Sequence, residues 1–341
     1  MQAAELIAPL TFRLAEMPVE APGPGEVQVR IESVGICGSD LHAYSEGSVG
    51  DTPNRYPMVL GHEPAGTIVK TGAGVTGISA GDRGALEPAL YCYHCEFCQR
   101  GQHNVCANIR FLSNPGHPGF FREFVNLPAS NFIPVPTQIS SDQATLIEPL
   151  AIGLHSLSLA LIQPGESVAV FGAGPIGLLT IAALKAAKAG KIWAVEPMAH
   201  RRELAKNIGA NAALDPAEAV KEILLGTGQR GVDCAIDCAA KDDTSNQAIH
   251  VVRNAGRVLI TGIHSGRMVP LEGSAMRRKE LTIFNVRRSN HESHAALELL
   301  AAHTDWFAPL VTHTRSMDHV AEAFEIANNY QDGVGKMIVR P

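Results

Sequence analysis

The feature that most constrains this chain is a junction near its middle. Ser167-Val-Ala-Val-Phe171 has the short apolar, β-branched character of a buried strand. It runs directly into Gly172-Ala-Gly-Pro-Ile-Gly177, which opens an Ala/Leu-rich helical stretch over 177–189. Each glycine has its own task. Gly172 makes the tight turn, Gly174 lets backbone amides approach a pyrophosphate, and Gly177 lets helix and strand pack closely. Pro175 and Ile176 lie at the helix start, where free N–H groups and the positive end of the dipole face an anion. Glu196 falls nineteen residues after Gly177, at the end of a second strand-like run, Lys191–Val195. A carboxylate there binds both ribose hydroxyls and repels a 2′-phosphate, which favours NAD over NADP. Arg201 and Arg202 follow closely and can serve a phosphate or stack on adenine.

Further strand-like runs, Val232–Asp237 and Arg257–Thr261, alternate with helices such as 200–208. Alternation of this kind predicts a parallel sheet with crossover helices on both faces. The expectation is an α/β, doubly wound Rossmann domain over 151–289, with Gly262, just past the last of these runs, added to the cofactor-binding candidates. Residues 1–150 read differently. They are rich in Gly and Pro, with short β-type runs at Val27–Ile31 and Gly66–Lys70, and predict an irregular, mostly antiparallel β domain. A helix-like stretch over 149–162 marks the change. From about residue 290 a helix and a last β run, Lys336–Arg340, are expected to return to the first domain.

Composition narrows the function classes. Hydrophobic residues make 45% and charged residues 18% of the 341, as in an ordinary soluble enzyme, and the net charge of −6 argues against a basic nucleic-acid footprint. Gly, Pro or charge breaks every apolar run short of a membrane span. The N-terminus lacks a basic segment followed by an apolar one. A cytoplasmic location with no membrane partner is the resulting expectation.

Seven cysteines are present, and four of them, Cys92, Cys95, Cys98 and Cys106, fall within fifteen residues. An odd total in such a chain does not suggest a disulfide framework. Four thiolates on one loop suit a closed, tetrahedral, structural zinc site with no position left for substrate. Arg100 and Arg110 are the only Lys or Arg between Leu90 and Phe111, which argues against a zinc-ribbon contact with nucleic acid. Cys234 and Cys238 lie on an apolar strand and its end and read as packing residues.

Mixed ligand types are scattered through the first domain: Cys37, His62, Glu63 and Glu148. Cys, His and carboxylate together suit a catalytic zinc with an exchangeable position. Singly, each has a plainer reading: a small core residue, a satisfied histidine, a charge at a helix N-terminus. Spacing alone leaves both open.

Taken together, Cys37-Gly-Ser-Asp-x-His42, Gly61-His-Glu, Gly81-Asp-Arg, the four-cysteine lobe, Glu148-Pro-Leu and Gly172-Ala-Gly-Pro-Ile-Gly177 resemble the motifs of zinc-containing medium-chain dehydrogenases/reductases over essentially the whole chain. Within that family the chain is most similar to the sorbitol (polyol) dehydrogenase branch. Glu148-Pro-Leu-Ala-Ile-Gly-Leu-His155 carries the acidic residue used there, where alcohol dehydrogenases of the classical branch have a cysteine. The resemblance implies a GroES-like irregular β-barrel catalytic domain beside the Rossmann domain, and two zincs per subunit with NAD. It implies a catalytic zinc on Cys37, His62 and either Glu63 or Glu148, one of the two glutamates acting through water or exchanging with the other.

It further implies hydride transfer from a secondary alcohol, such as a polyol, sugar alcohol or sugar acid, to give a ketone. L-threonine or a simple secondary alcohol is the alternative substrate, and a non-catalytic zinc-stabilised binding protein a remote one. Ser39 and His42 are placed in a proton relay, and both residue types fit that task. Arg287 falls on the arginine that polyol dehydrogenases place near substrate, with Arg288 a surface residue or a second donor. Tyr44, Phe111 and Phe120 are candidates for lining the cleft. Family members are commonly dimers or tetramers, so a homo-oligomer is expected.

Overall fold

The computed structural model describes residues 1–241 and 243–341. These divide into two compact units: Met1–Glu148 with Ser293–Thr304 and Val311–Pro341, and Pro149–Glu292 with Asp305–Leu310.

The first unit is built on a largely antiparallel sheet. Its strand order is Phe132–Pro134, Arg83–Leu86, Glu63–Thr71, Glu26–Gly35, Lys336–Arg340 and Val311–Ser316, with Phe124–Pro128 also paired to Glu26–Gly35. The long strand Glu26–Gly35 organises it: Val27, Val29 and Ile31 alternate into the core, and past a register shift between Ile31 and Ser33 Val34 is buried as well. Its register sets Gly35 opposite both Glu63 and Ile338. Glycine leaves room there for the Lys336 and Glu63 side chains. A Cβ at Gly35 would lie 2.7 Å from Cε of Lys336 and closer still to the Glu63 carboxylate. The core beneath gathers Leu60, Phe121, Leu127 and Phe324.

The second unit carries six parallel strands in the order Ala212–Leu214, Ile192–Val195, Val168–Phe171, Val232–Asp237, Val252–Ile260 and Thr282–Asn285. This is the doubly wound order, which reverses direction at Val168–Phe171 and opens a crevice at its carboxyl end. Central strands buried on both faces explain the continuous apolar runs in the sequence.

Element limits differ from expectation where single residues leave regular geometry. The helix after the glycine turn is Pro175–Ala186, ending before Lys188 at φ 56°. The helix at the start of the second unit is Ile147–Ala160, stopped by Leu161 at φ 51°. Asp305–Leu310 groups with the second unit, where Lys185 Nζ stands 3.8 Å over the ring of Trp306.

Candidate metal centres and cofactor turn

Asp40 assembles the mixed-ligand site. It lies in the first turn of the helix Gly38–Glu46, which Cys37 precedes as N-cap. Its carboxylate is 2% exposed; Oδ2 accepts from the Cys37 amide at 3.0 Å, and Oδ1 from the Gly61 amide at 3.2 Å and from Ser113 Oγ at 3.3 Å. Oδ1 also stands 3.3 Å from Nδ1 of His62. One carboxylate thus ties together two ligand-bearing segments and orients the imidazole, as carboxylate partners of metal-ligating histidines do. Gly61 permits the sharp approach with φ 89°.

The ligand atoms of Cys37, His62 and Glu63 all lie within 4.8 Å of one another. Ser39 Oγ is 3.4 Å from Nε2 of His62, and the ring of Phe111 is 5.3 Å from the imidazole. Behind the site, Lys336 and Glu63 form an ion pair with both side chains 1% exposed, and Lys336 Nζ also donates to the Ile36 carbonyl at 3.0 Å.

The electrostatics favour a cation. Burial opposes a proton on His62, yet Asp40 and then Cys37 raise its pKa well above the usual histidine value. Burial pushes the Glu148 carboxyl up to about 8; His62 opposes, while Glu63 and Glu87 add to the rise. Oε1 of Glu63 and Oε2 of Glu148 are buried without a hydrogen-bond partner. An orphaned buried carboxylate oxygen beside a thiol and an imidazole is the donor set a zinc ion would satisfy. Glu148 lies outside the tight three-atom group but close enough to feel the charges of His62 and Glu63.

The other cluster is Cys92, Cys95, Cys98 and Cys106, with Sγ–Sγ separations of 3.5 Å for Cys92–Cys106, 3.9 Å for Cys95–Cys106 and 4.0 Å for Cys92–Cys98. The amide of Cys95 and Nδ2 of Asn108 donate to Cys92 Sγ at 3.4 and 3.6 Å. Such donors, led by the His94 backbone, bring the Cys92 thiol down to about 5. A thiolate is the form that binds metal. Four sulfurs and no orphaned oxygen fit a closed structural zinc.

At the glycine turn, Gly172 has φ 90°, and Gly174 caps the helix Pro175–Ala186. A Cβ on Gly174 would meet only Nη1 of Arg201, at 3.8 Å, so an open cradle faces a buried guanidinium. A Cβ on Gly177 would strike the Gly172 carbonyl. Glu196 is 4% exposed and accepts from the amides of Ala173 at 2.8 Å and Met198 at 3.0 Å, which joins the second strand to the turn. The cradle and carboxylate fit a dinucleotide. Arg202 is occupied otherwise: its Nη1 donates to the carbonyls of Glu196 and Pro197 at 2.7 and 2.6 Å. Gly262 donates its amide to the Asp237 carbonyl at 2.9 Å, packed where a Cβ would lie 2.7 Å from that of Ala240.

Two aromatic candidates are corrected. Tyr44 is 5% exposed and stacks with Phe12 and Phe324 in the core, and Phe120 is fully buried; neither has a face free for substrate. Arg287 is exposed on the second unit, and Arg288 half-buried at φ 56°. Cys234 is core, and Cys238 lies 3.8 Å from Thr180 Oγ1. Sequence reasoning gave no role to Asp40, Lys336 or Glu87. The signal for Lys336 was there: a lysine directly ahead of the apolar run Met337-Ile-Val339 of the last strand.

Comparison with known proteins agrees with this geometry. Residues 23–137 match the alcohol dehydrogenase GroES-like domain and residues 175–302 the zinc-binding dehydrogenase domain. The chain is 33% identical to sorbitol dehydrogenase of Bacillus subtilis, over 100% of this chain and 97% of that one. It is 33% identical to L-idonate 5-dehydrogenase of Vitis vinifera, over 95% and 90% of the two chains. The crystal structure of galactitol-1-phosphate dehydrogenase from Escherichia coli superposes with a TM-score of 0.91 at 28% identity, covering 100% of both chains. The chain therefore belongs to the zinc-containing medium-chain dehydrogenases/reductases, in the branch that resembles sorbitol dehydrogenase.

Proposed function

We propose that this enzyme oxidises a secondary alcohol of a polyol, sugar alcohol or sugar acid to a ketone, with NAD as acceptor. Cys37, His62 and Glu63 would hold the catalytic zinc, and Cys92, Cys95, Cys98 and Cys106 a structural one. The observation that carries the proposal is the thiol–imidazole–carboxylate triad, its histidine and glutamate buried and one glutamate oxygen orphaned. When bound, zinc supplies Lewis acidity toward the alcohol oxygen and NAD the hydride acceptor. The chain supplies orientation and proton movement. Asp40 fixes the His62 ring. Lys336 neutralises Glu63 from behind, where Glu63 opens its strand opposite Gly35. Glu148 is a second carboxylate beside Glu63, suited to exchange with it or to act through water. Ser39 Oγ, next to His62, accepts the alcohol proton and passes on its own, and His42 releases a proton to solvent.

Glu196 supports NAD over NADP, and Arg201 faces the cradle for the pyrophosphate or adenosine. Arg287 would donate to substrate hydroxyls or a carboxylate. Thr282–Asn285 is one of the two edge strands of the parallel sheet, which suits pairing with a second copy in a dimer or tetramer. A cytoplasmic location completes the proposal; among the described residues no helix is long and apolar enough to cross a membrane. The test is a nicotinamide-reduction screen of the zinc-loaded protein over polyols, aldonates, threonine and simple secondary alcohols, with NAD and NADP in parallel. Turnover of a polyol or aldonate with NAD is expected. Threonine alone as substrate, or no turnover at all, would overturn the proposal.

A further inference from the structure

Glu46 occupies a position that its own helix disfavours. It is the last residue of the helix Gly38–Glu46, ahead of Gly47 in the left-handed C-cap, and no basic residue shares that last turn. A carboxylate at a helix C-terminus faces the negative end of the macrodipole. Local choices that oppose the fold are found at functional positions. The partner of Glu46 lies one turn back: its Oε1 is 2.8 Å from Nδ1 of His42, with side-chain exposures of 39% and 18%. In the helix Val320–Asn328, packed alongside, Glu322 is engaged by Arg315, whose Nε donates to it at 2.8 Å. Tyr44 turns the opposite face of the helix into the core, so the pair is presented away from it.

We propose that Glu46 is a positioning residue for the relay: by accepting the Nδ1–H of His42 it selects the tautomer whose Nε2 is bare, and makes that nitrogen the proton acceptor. A carboxylate only accepts, so the shared hydrogen must sit on Nδ1 of the neutral ring. Free imidazole side chains in water favour the other tautomer, with Nε2 protonated and unable to accept. A proton delivered to Nε2 makes the imidazolium, held by Glu46 at Nδ1, and loss of that proton from Nε2 to water restores the starting tautomer. The inference rests on the relay role of His42 given above, and the experiment separates the two.

The tautomer is read by long-range ¹H–¹⁵N correlation spectra of the zinc-loaded protein at a pH where His42 is neutral, assigned with His42→Gln. The wild type is expected to show a protonated Nδ1 and a bare Nε2. Glu46→Ala is expected to shift the population toward protonated Nε2, and Glu46→Gln, whose amide oxygen still accepts, to keep part of the original state. In turnover, Glu46→Ala should lower kcat roughly tenfold with KM little changed, and add nothing in a His42→Ala background. A wild type dominated by protonated Nε2, or populations unmoved in Glu46→Ala, would overturn the inference and leave the relay intact. Full activity in His42→Ala would overturn the relay, and with it the catalytic use of Glu46.

Discussion

Replacing Lys336 with methionine isolates the contact at the back of the metal site. Met fills similar volume but cannot pair with Glu63, and both members of the pair are 1% exposed. Breaking a buried ion pair by removing one partner costs about 3–5 kcal/mol, because a charge remains desolvated and uncompensated. The Ile36 carbonyl loses its donor as well, at about 1 kcal/mol. For a unit of roughly 150–250 residues, each kcal/mol moves Tm by about 2–4 °C, so zinc-stripped K336M, losing about 4–6 kcal/mol, should melt roughly 8–24 °C lower. Calorimetry on stripped and zinc-loaded samples measures this. The deficit should shrink on zinc loading, since the metal restores positive charge to the same carboxylate. It should shrink equally in stripped Glu63→Gln/Lys336→Met, where no charge is left behind. A loss below about 1 kcal/mol in stripped K336M, or a double variant no more stable than the single, would mean that the Lys336–Glu63 pair does not hold this part of the fold.

Asp40→Asn should weaken zinc binding about 10–100-fold, measured by chelator competition, because the amide orients His62 poorly. Glu196→Ala should raise kcat/KM with NADP relative to NAD, read from paired initial rates, since the carboxylate that repels a 2′-phosphate is gone. The buried surroundings of Glu292 oppose its charge, yet His155 at 2.9 Å and the Asn290 amide hold its pKa below the usual glutamate value. Its stabilisation is therefore present above the unfolded-state pKa and lost as pH falls through the lower folded value. Denaturant titrations should show Glu292→Gln less stable than wild type at neutral pH, with the gap closing in acid.

Local features were the legible ones. The strand, glycine turn and helix at Val168–Ala186 lie side by side in the chain, and the left-handed φ of Gly172 and the packing of Gly177 on the Gly172 carbonyl both arise within that turn. The four-cysteine lobe is likewise contained in one loop. The mixed-ligand site is not. Cys37, His62 and Glu63 are joined by sheet register, Gly35 against Glu63, and by the Asp40 carboxylate, neither of which spacing encodes. Lys336 bonds to Ile36 from 300 residues away, so its role depends on the last strand returning to the first unit. Aromatic residues misled for a different reason. Tyr44 and Phe120 have the same apolar character whether they line a cleft or fill a core, and only packing against Phe12 and Phe324, or complete burial, decides.

Zinc content and turnover of Cys37→Ser test the division of labour between the two metal sites most directly. Two zincs per subunit are expected in the wild type and one in the variant. The four-cysteine lobe and the thermal transition should persist, and NADH production from a polyol should be abolished. A variant that keeps both zincs, or that still reduces NAD at the wild-type rate, would contradict that division of labour.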